Sequence, residues 1–288
     1  MDQYLPRAAH IRRRGERSGR KRREDNIPMT DFDPRSASAA PVPMNRILDR
    51  LDLYMGRRDY DGAERHLLYW LEEAKQGNDL QGQLQLCNEL VGFYRKTDRC
   101  EDAHKYSDAA LELLEKTESG DRVITGTTCV NIATAYCAFD EEEKALPLFE
   151  KARAVYESNP LTPPHLKGGL YNNMALALQK LGRFDEALSS YGRALELMRT
   201  VPGSQLEQAI TCLNMADTVA SAVGLEQGEA RIFELLDQAY DLLQDKSLEH
   251  NGYYAFVCEK CAPGFSYYGY FVAAQELEEE AKRIYERA

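Results

Sequence analysis

No apolar run in the chain approaches the roughly 18 residues that a bilayer-spanning helix needs, so a soluble, cytoplasmic protein with no membrane partner is expected. No secretory signal peptide is recognisable, and the seven cysteines are therefore expected to be free thiols in a reducing compartment. Neither G-x-G-x-x-G nor G-x-x-x-x-G-K occurs, and there is no H-E-x-x-H, so the patterns that cradle phosphates or hold a catalytic zinc are missing. The histidines, His10, His66, His104, His165 and His250, are scattered, and none stands in a recognisable arrangement with a Ser or Cys nucleophile. Cys258-x-x-Cys261 has no second C-x-x-C and no H-x-x-x-H to complete a four-ligand zinc site, and it lacks the strand and crossover of a redox motif. No metal, no cofactor and no catalysis are expected, and the ligand is not expected to be a small molecule.

Positive charge is also scarce over most of the length. Residues 24–288 carry 27 basic against 45 acidic side chains, a balance of −18, whereas residues 1–23 hold nine Lys and Arg against Asp2 and Glu16, about +7. So acidic a body argues against a groove for duplex nucleic acid, and confines any such contact to the 1–23 tail. Residues 1–43 lack helical or strand periodicity, and after Arg23 they turn to T-D-F-D-P-R-S-A-S-A-A-P-V-P, the composition of a linker. They are expected to form a disordered tail. Its basic run suits an electrostatic arm or an Arg-rich targeting peptide, and with Met29 and Met44 downstream it also suits an over-long start.

What the sequence does have is a repeat. Residues 168–198 read G-G-L-Y-N-N-M-A-L-A-L-Q-K-L-G-R-F-D-E-A-L-S-S-Y-G-R-A-L-E-L-M, two apolar-periodic segments flanking Gly182. Ala175, Ala187 and Ala194 fall where two close-packed helices must approach, and Tyr171, Met174, Leu178, Phe184 and Tyr191 fill the spaces between. Ala103, Ala145 and Ala187 recur at 42-residue intervals. On the same register Cys87, Cys129, Cys212 and Cys258 share one first-helix position, as small packing residues would. Trp70 stands where Ala194 stands, which marks the first unit as atypical, and the turn near 222–230 is stretched by an extra helical turn or a longer loop. The last helix keeps only a narrow stripe of Leu277, Ala281, Ile284 and Tyr285.

The small mid-helix residue, turn glycine, aromatic and alanines seven apart resemble a tetratricopeptide repeat. The Y-N-N-M-A segment and 42-residue period are similar to the longer repeats of kinesin light chains. The resemblance implies an all-α, right-handed solenoid of about five antiparallel helix pairs over residues 44–288, with units near 44–80, 84–118, 126–157, 168–200, 209–244 and 255–288. It further implies a non-catalytic scaffold whose first helices line a concave groove for a protein or an extended peptide. The residues on that face are Asn88, Arg95, Lys96, Asn131, Thr134, Asn172, Asn173, Gln179, Lys180, Asn214 and Asp217. Asn131, Asn173 and Asn214 are equivalent, and either grip a peptide backbone or bridge neighbouring repeats. Relatives that bind chaperone tails use a basic and amide-containing carboxylate clamp, of which Asn88, Arg95, Lys96 and Lys180 would make only part. Phe265 and Phe271 match core positions, which leaves Tyr267, Tyr268 and Tyr270 as a possible aromatic anchor. The alternative function is a peptide-sensing regulator whose basic tail touches nucleic acid.

Overall fold

A computed structural model of the chain describes residues 41–117 and 122–287. Nearly all of the expected 1–43 tail lies outside these residues. Every regular element described is an α-helix: α1 Met44–Gly56, α2 Tyr60–Gln76, α3 Leu80–Lys96, α4 Cys100–Lys116, α5 Arg122–Ala138, α6 Glu142–Ser158, α7 Pro164–Lys180, α8 Phe184–Met198, α9 Gln205–Val223, α10 Leu225–Leu243, α11 Gly252–Tyr267 and α12 Phe271–Tyr285. They make six pairs, one more than the expected five, because the 168–198 segment that defines the repeat is itself one of the six.

Five of the six pairs close the same way. Helix one ends in a left-handed residue, and the residue immediately before helix two returns its N–H to the carbonyl five residues back: Asp59 to Tyr54, Arg99 to Tyr94, Glu141 to Tyr136, Arg183 to Leu178 and Tyr270 to Phe265, all at 2.9–3.0 Å. Gly182 and Gly269 meet the positive-φ requirement freely, but Arg58, Asp98 and Asp140 meet it too, at φ 56°, 56° and 58°. The turn glycine of the repeat is therefore dispensable, since backbone bonding and packing hold the turn without it. Second helices then begin with acid in the first turn, Asp61, Glu101 and Asp102, Glu142 and Glu143, or Asp185 and Glu186, where the helix dipole favours it. The stretched turn resolves as helix: α9 and α10 each run 19 residues and meet at Gly224, φ 84°.

The alanines at the helix approaches, Ala103, Ala110, Ala145, Ala152, Ala187, Ala194, are all 0% exposed, and large side chains such as Phe149 and Tyr191 fill the space they leave. The core divides into two clusters that meet in α5, with Ile132 and Ala135 facing the N-terminal units and Cys129, Val130, Ala133 and Cys137 facing the C-terminal ones. Cys87, Cys129, Cys212 and Cys258 are all buried, and burial lifts their thiols well above the ordinary range, to about 11 at Cys87, Cys212 and Cys258. Trp70 is half-buried against the N-terminal cluster.

Two core assignments at the C-terminal end need correction. Phe271 is 68% exposed. The equivalent position is half-buried at Phe184 and exposed at Tyr60. Tyr285 is likewise 47% exposed, while Leu277, Ala281 and Ile284 form the buried stripe.

Candidate peptide-binding face

The first helices occupy the inner radius of the array. Successive ones pack on each other, α3 on α5, α5 on α7, α7 on α9 and α9 on α11, whereas no second helix makes a comparable approach to the next. Any ligand lying along the inside of the curve therefore meets α1, α3, α5, α7, α9 and α11.

On that face the candidate residues separate into two groups. The first bridges neighbouring repeats. Asn88 Nδ2 donates to Thr128 Oγ1 at 2.8 Å, and its Oδ1 is enclosed without a partner. Two units on, Asn172 Oδ1 at the equivalent position accepts from Thr211 Oγ1 at 3.1 Å. Asn173, 3% exposed, donates to Thr134 Oγ1 at 3.4 Å, and Thr134, itself buried, donates to the Val130 carbonyl at 2.8 Å. Gln179 stays within its own pair, where its Oε1 accepts from the Tyr191 hydroxyl at 3.2 Å. Lys180 reaches back to the preceding unit, where its Nζ lies 2.9 Å from Asp140 Oδ1, 2.8 Å from Glu142 Oε1 and 3.3 Å from the Cys137 carbonyl. A carboxylate clamp that includes Lys180 would first have to break those contacts.

The second group is Asn131 and Asn214. Both are half-buried, and neither side-chain amide has a hydrogen-bond partner among the described residues. Arg95 and Lys96 sit in the last turn of α3, half-buried and exposed respectively. Three equivalent asparagines thus have two environments, one closed and two open.

Asp217 ties this face to the aromatic cluster. Its Oδ1 accepts from the Tyr268 hydroxyl at 2.7 Å, and Tyr270 donates to Asp237 Oδ1 at 2.7 Å. Tyr268 and Tyr270 are therefore half-buried structural groups, and only Tyr267, 70% exposed, stands clear. The threonines at 128 and 211 share one register position, each directly before one of the equivalent cysteines, whereas the tyrosine–carboxylate bonds each belong to a single interface and carry no periodic signal.

Burial raises the Asp217 carboxyl above the usual carboxylate range, and donation from Tyr268 opposes this. A carboxyl whose folded pKa exceeds its unfolded value contributes stability below the unfolded value, and that contribution is lost as pH rises through the folded one. At neutral pH the charge is a net cost. Asp217→Asn keeps an oxygen for Tyr268, so it is expected to raise stability at pH 7 and to raise it less at about pH 3.5. Denaturant titrations at the two pH values check this, and an equal or larger gain in acid would contradict it.

Among the described residues no group of three or more His, Cys, Asp or Glu is arranged to hold a metal, and no helix is long and apolar enough to cross a membrane. Comparison with known proteins agrees with the geometry. The chain is 31% identical over 122 residues to the photosystem I assembly protein Ycf3 of Prochlorococcus marinus, a match covering 40% of this chain and 69% of that one. In fold it is similar to BtubC (BKLC) from P. vanneervenii, with TM-score 0.58 and 18% identity over 80% of this chain and 91% of the other. It is also similar to a putative kinesin light chain of Podosopora anserina with nearly identical repeats, at TM-score 0.52 and 18% identity over 71% and 96%. Proteins built this way are in general non-catalytic scaffolds for protein interaction. The tetratricopeptide repeat profile matches residues 83–158 and 168–245, more than half of the chain, and the chain belongs to the tetratricopeptide repeat family.

Proposed function

We propose that the chain is a peptide-binding scaffold that holds an extended segment of a partner protein along its inner face, with Asn131 and Asn214 gripping the peptide backbone. The observation that carries this reading is the pair of equivalent, half-buried amides without partners. An asparagine inside a helix costs roughly half a kcal/mol relative to alanine, and neither of these two recovers that cost within the array. Each amide offers a donor and an acceptor, as a peptide unit does. With first helices spaced about 10 Å apart, the two amides stand about 20 Å apart, the length of roughly six residues of extended chain. The acidic body suits a partner segment that is neutral or basic.

Peptides selected from a random library on the full chain supply the probe. Asn131→Ala with Asn214→Ala is expected to weaken the selected peptides about tenfold, since each lost hydrogen bond is worth about 0.5–1.5 kcal/mol. Stability should hold or rise slightly. Asn173→Ala is expected to do the reverse, lowering stability by about 1 kcal/mol as Thr134 loses its partner while affinity changes little. Unchanged affinity in the double variant, together with lost stability, would show that the asparagines serve only the scaffold.

A further inference from the structure

The last two units expose an apolar surface that the scaffold reading does not use. Tyr267, Phe271 and Val272, at the α11–α12 turn, are 70%, 68% and 74% exposed. Phe233 on α10, 40% exposed, packs its ring 5.9 Å from Tyr270, which brings the two pairs onto one patch. The turn of the preceding pair lies on the same edge and adds Val223 and Leu225, 48% and 51% exposed. Clusters of this kind on a monomer mark interaction sites.

The charge around the patch narrows the choice of occupant. Residues 225–237 carry Glu226, Glu229, Glu234 and Asp237 against Arg231 alone, and Arg231 is paired with Glu234 at 2.5 Å. Residues 261–279 contain no Lys or Arg and three glutamates, Glu276, Glu278 and Glu279, while Glu280 beyond them is held by His250 and Arg283. Two copies meeting through this surface would set carboxylates against carboxylates, a disfavoured pairing. The surface fits a segment that combines positive charge with apolar side chains. One lies in the chain itself: residues 1–23 hold nine Lys and Arg together with Tyr4, Leu5 and Ile11.

We propose that residues 1–23 dock on the Phe233, Tyr267, Phe271 and Val272 surface of the same chain, with Tyr4, Leu5 or Ile11 seated among those side chains and the arginines facing the surrounding carboxylates. The reach is sufficient. The described chain starts at the first unit, where the Val42 N–H is held 3.0 Å from Asp79 Oδ2. The linker of residues 24–41, at about 3.3 Å per residue, extends up to roughly 60 Å, against about 50 Å for five steps between first helices at about 10 Å. A covalently joined segment also meets the surface without the concentration dependence of a separate partner. Docking there would leave the inner face open and cover these exposed side chains.

The test is photo-crosslinking in the full chain, with benzoylphenylalanine in place of the exposed Val272 and the products mapped by mass spectrometry. The expected result is a crosslink within the monomer to a peptide from residues 1–23. Its yield should fall at least about fivefold from 50 to 500 mM salt. It should disappear when Arg12, Arg13, Arg14, Arg20, Lys21, Arg22 and Arg23 are changed to Gln. Crosslinks joining two chains would overturn the proposal in favour of a second copy. Absence of a tail crosslink, or one indifferent to salt and to the Gln changes, would overturn it outright. None of these outcomes depends on Asn131 or Asn214, so this surface and the inner-face reading stand or fall separately.

Discussion

Replacing Tyr191 by alanine is expected to cost about 3–5 kcal/mol, the range for removing a fully buried aromatic ring. Tyr191 lies on α8, is 0% exposed, and belongs to the larger core cluster together with residues of α7 and α9. Its hydroxyl donates to Gln179 Oε1 on α7 at 3.2 Å. Losing the ring would open a cavity where a pair is held together and where it meets the next pair. Tyr191→Phe keeps the ring and gives up only the hydroxyl contact, so it should cost about 1 kcal/mol. Because repeat arrays do not always unfold in one step, denaturant curves should be joined to hydrogen exchange on α7, α8 and α9. An alanine variant within 1 kcal/mol of the parent, or no difference between Ala and Phe, would show that the cluster repacks around the gap.

The repeat itself was legible because its signal is redundant. Ala103, Ala145 and Ala187 are dictated by one geometric requirement met three times, and such a requirement leaves the same residue at the same interval. Turn chemistry was only partly legible. Gly182 announces a left-handed residue, but Arg58 adopts the same conformation without any compositional sign, and Asp98 and Asp140 with only the weak preference of aspartate. Pro147 and Pro263 lie inside α6 and α11, where a proline removes a backbone donor. A helix held by packing on both sides tolerates one missing donor that an isolated helix would not.

The candidate site was legible as positions and not as roles. Register put Asn131, Asn173 and Asn214 on one face, yet whether an amide is open depends on a neighbour about 40 residues away. Thr134 closes Asn173, and no described side chain does the same for Asn131 or Asn214. Lys180 reads from its spacing as a groove cation, but Asp140 and Glu142 on the preceding turn engage it. In the aromatic cluster the expected roles partly exchange. Phe271, assigned to the core, is exposed, while Tyr268 and Tyr270, assigned to a surface anchor, are half-buried and bonded to aspartates of the preceding unit. Periodicity reports which face of a helix a residue occupies. It does not report what the next unit brings to that face.

Two glycines on first helices separate close packing that is rigid from close packing that yields. A methyl group at Gly126 on α5 would stand 2.1, 2.6 and 2.8 Å from three carbons of the Tyr156 ring. That ring is 1% exposed, and its hydroxyl is bonded to Thr127 Oγ1 at 2.9 Å, so it cannot swing aside without opening the core between α5 and α6. At Gly168 on α7 the same methyl would meet only Met198, with its Cε at 2.7 Å and its Cγ and Sδ at 3.1 Å. Methionine has three rotatable bonds and gives way easily. Alanine gains about 1 kcal/mol over glycine inside a helix, whereas overpacking a rigid core costs about 1–3 kcal/mol and at times more. Gly126→Ala is therefore expected to lose about 2 kcal/mol net, and Gly168→Ala to stay within about 1 kcal/mol of the parent. For a chain of this size that is a fall of several degrees in Tm for the first and little change for the second. Adding Tyr156→Leu should restore part of what Gly126→Ala loses, although Tyr156→Leu alone is destabilising, because the smaller side chain makes room for the methyl group. A neutral Gly126→Ala, or a Gly168→Ala that costs more than it, would show that Tyr156 is the mobile partner and that α5 approaches α6 less tightly than their side chains imply.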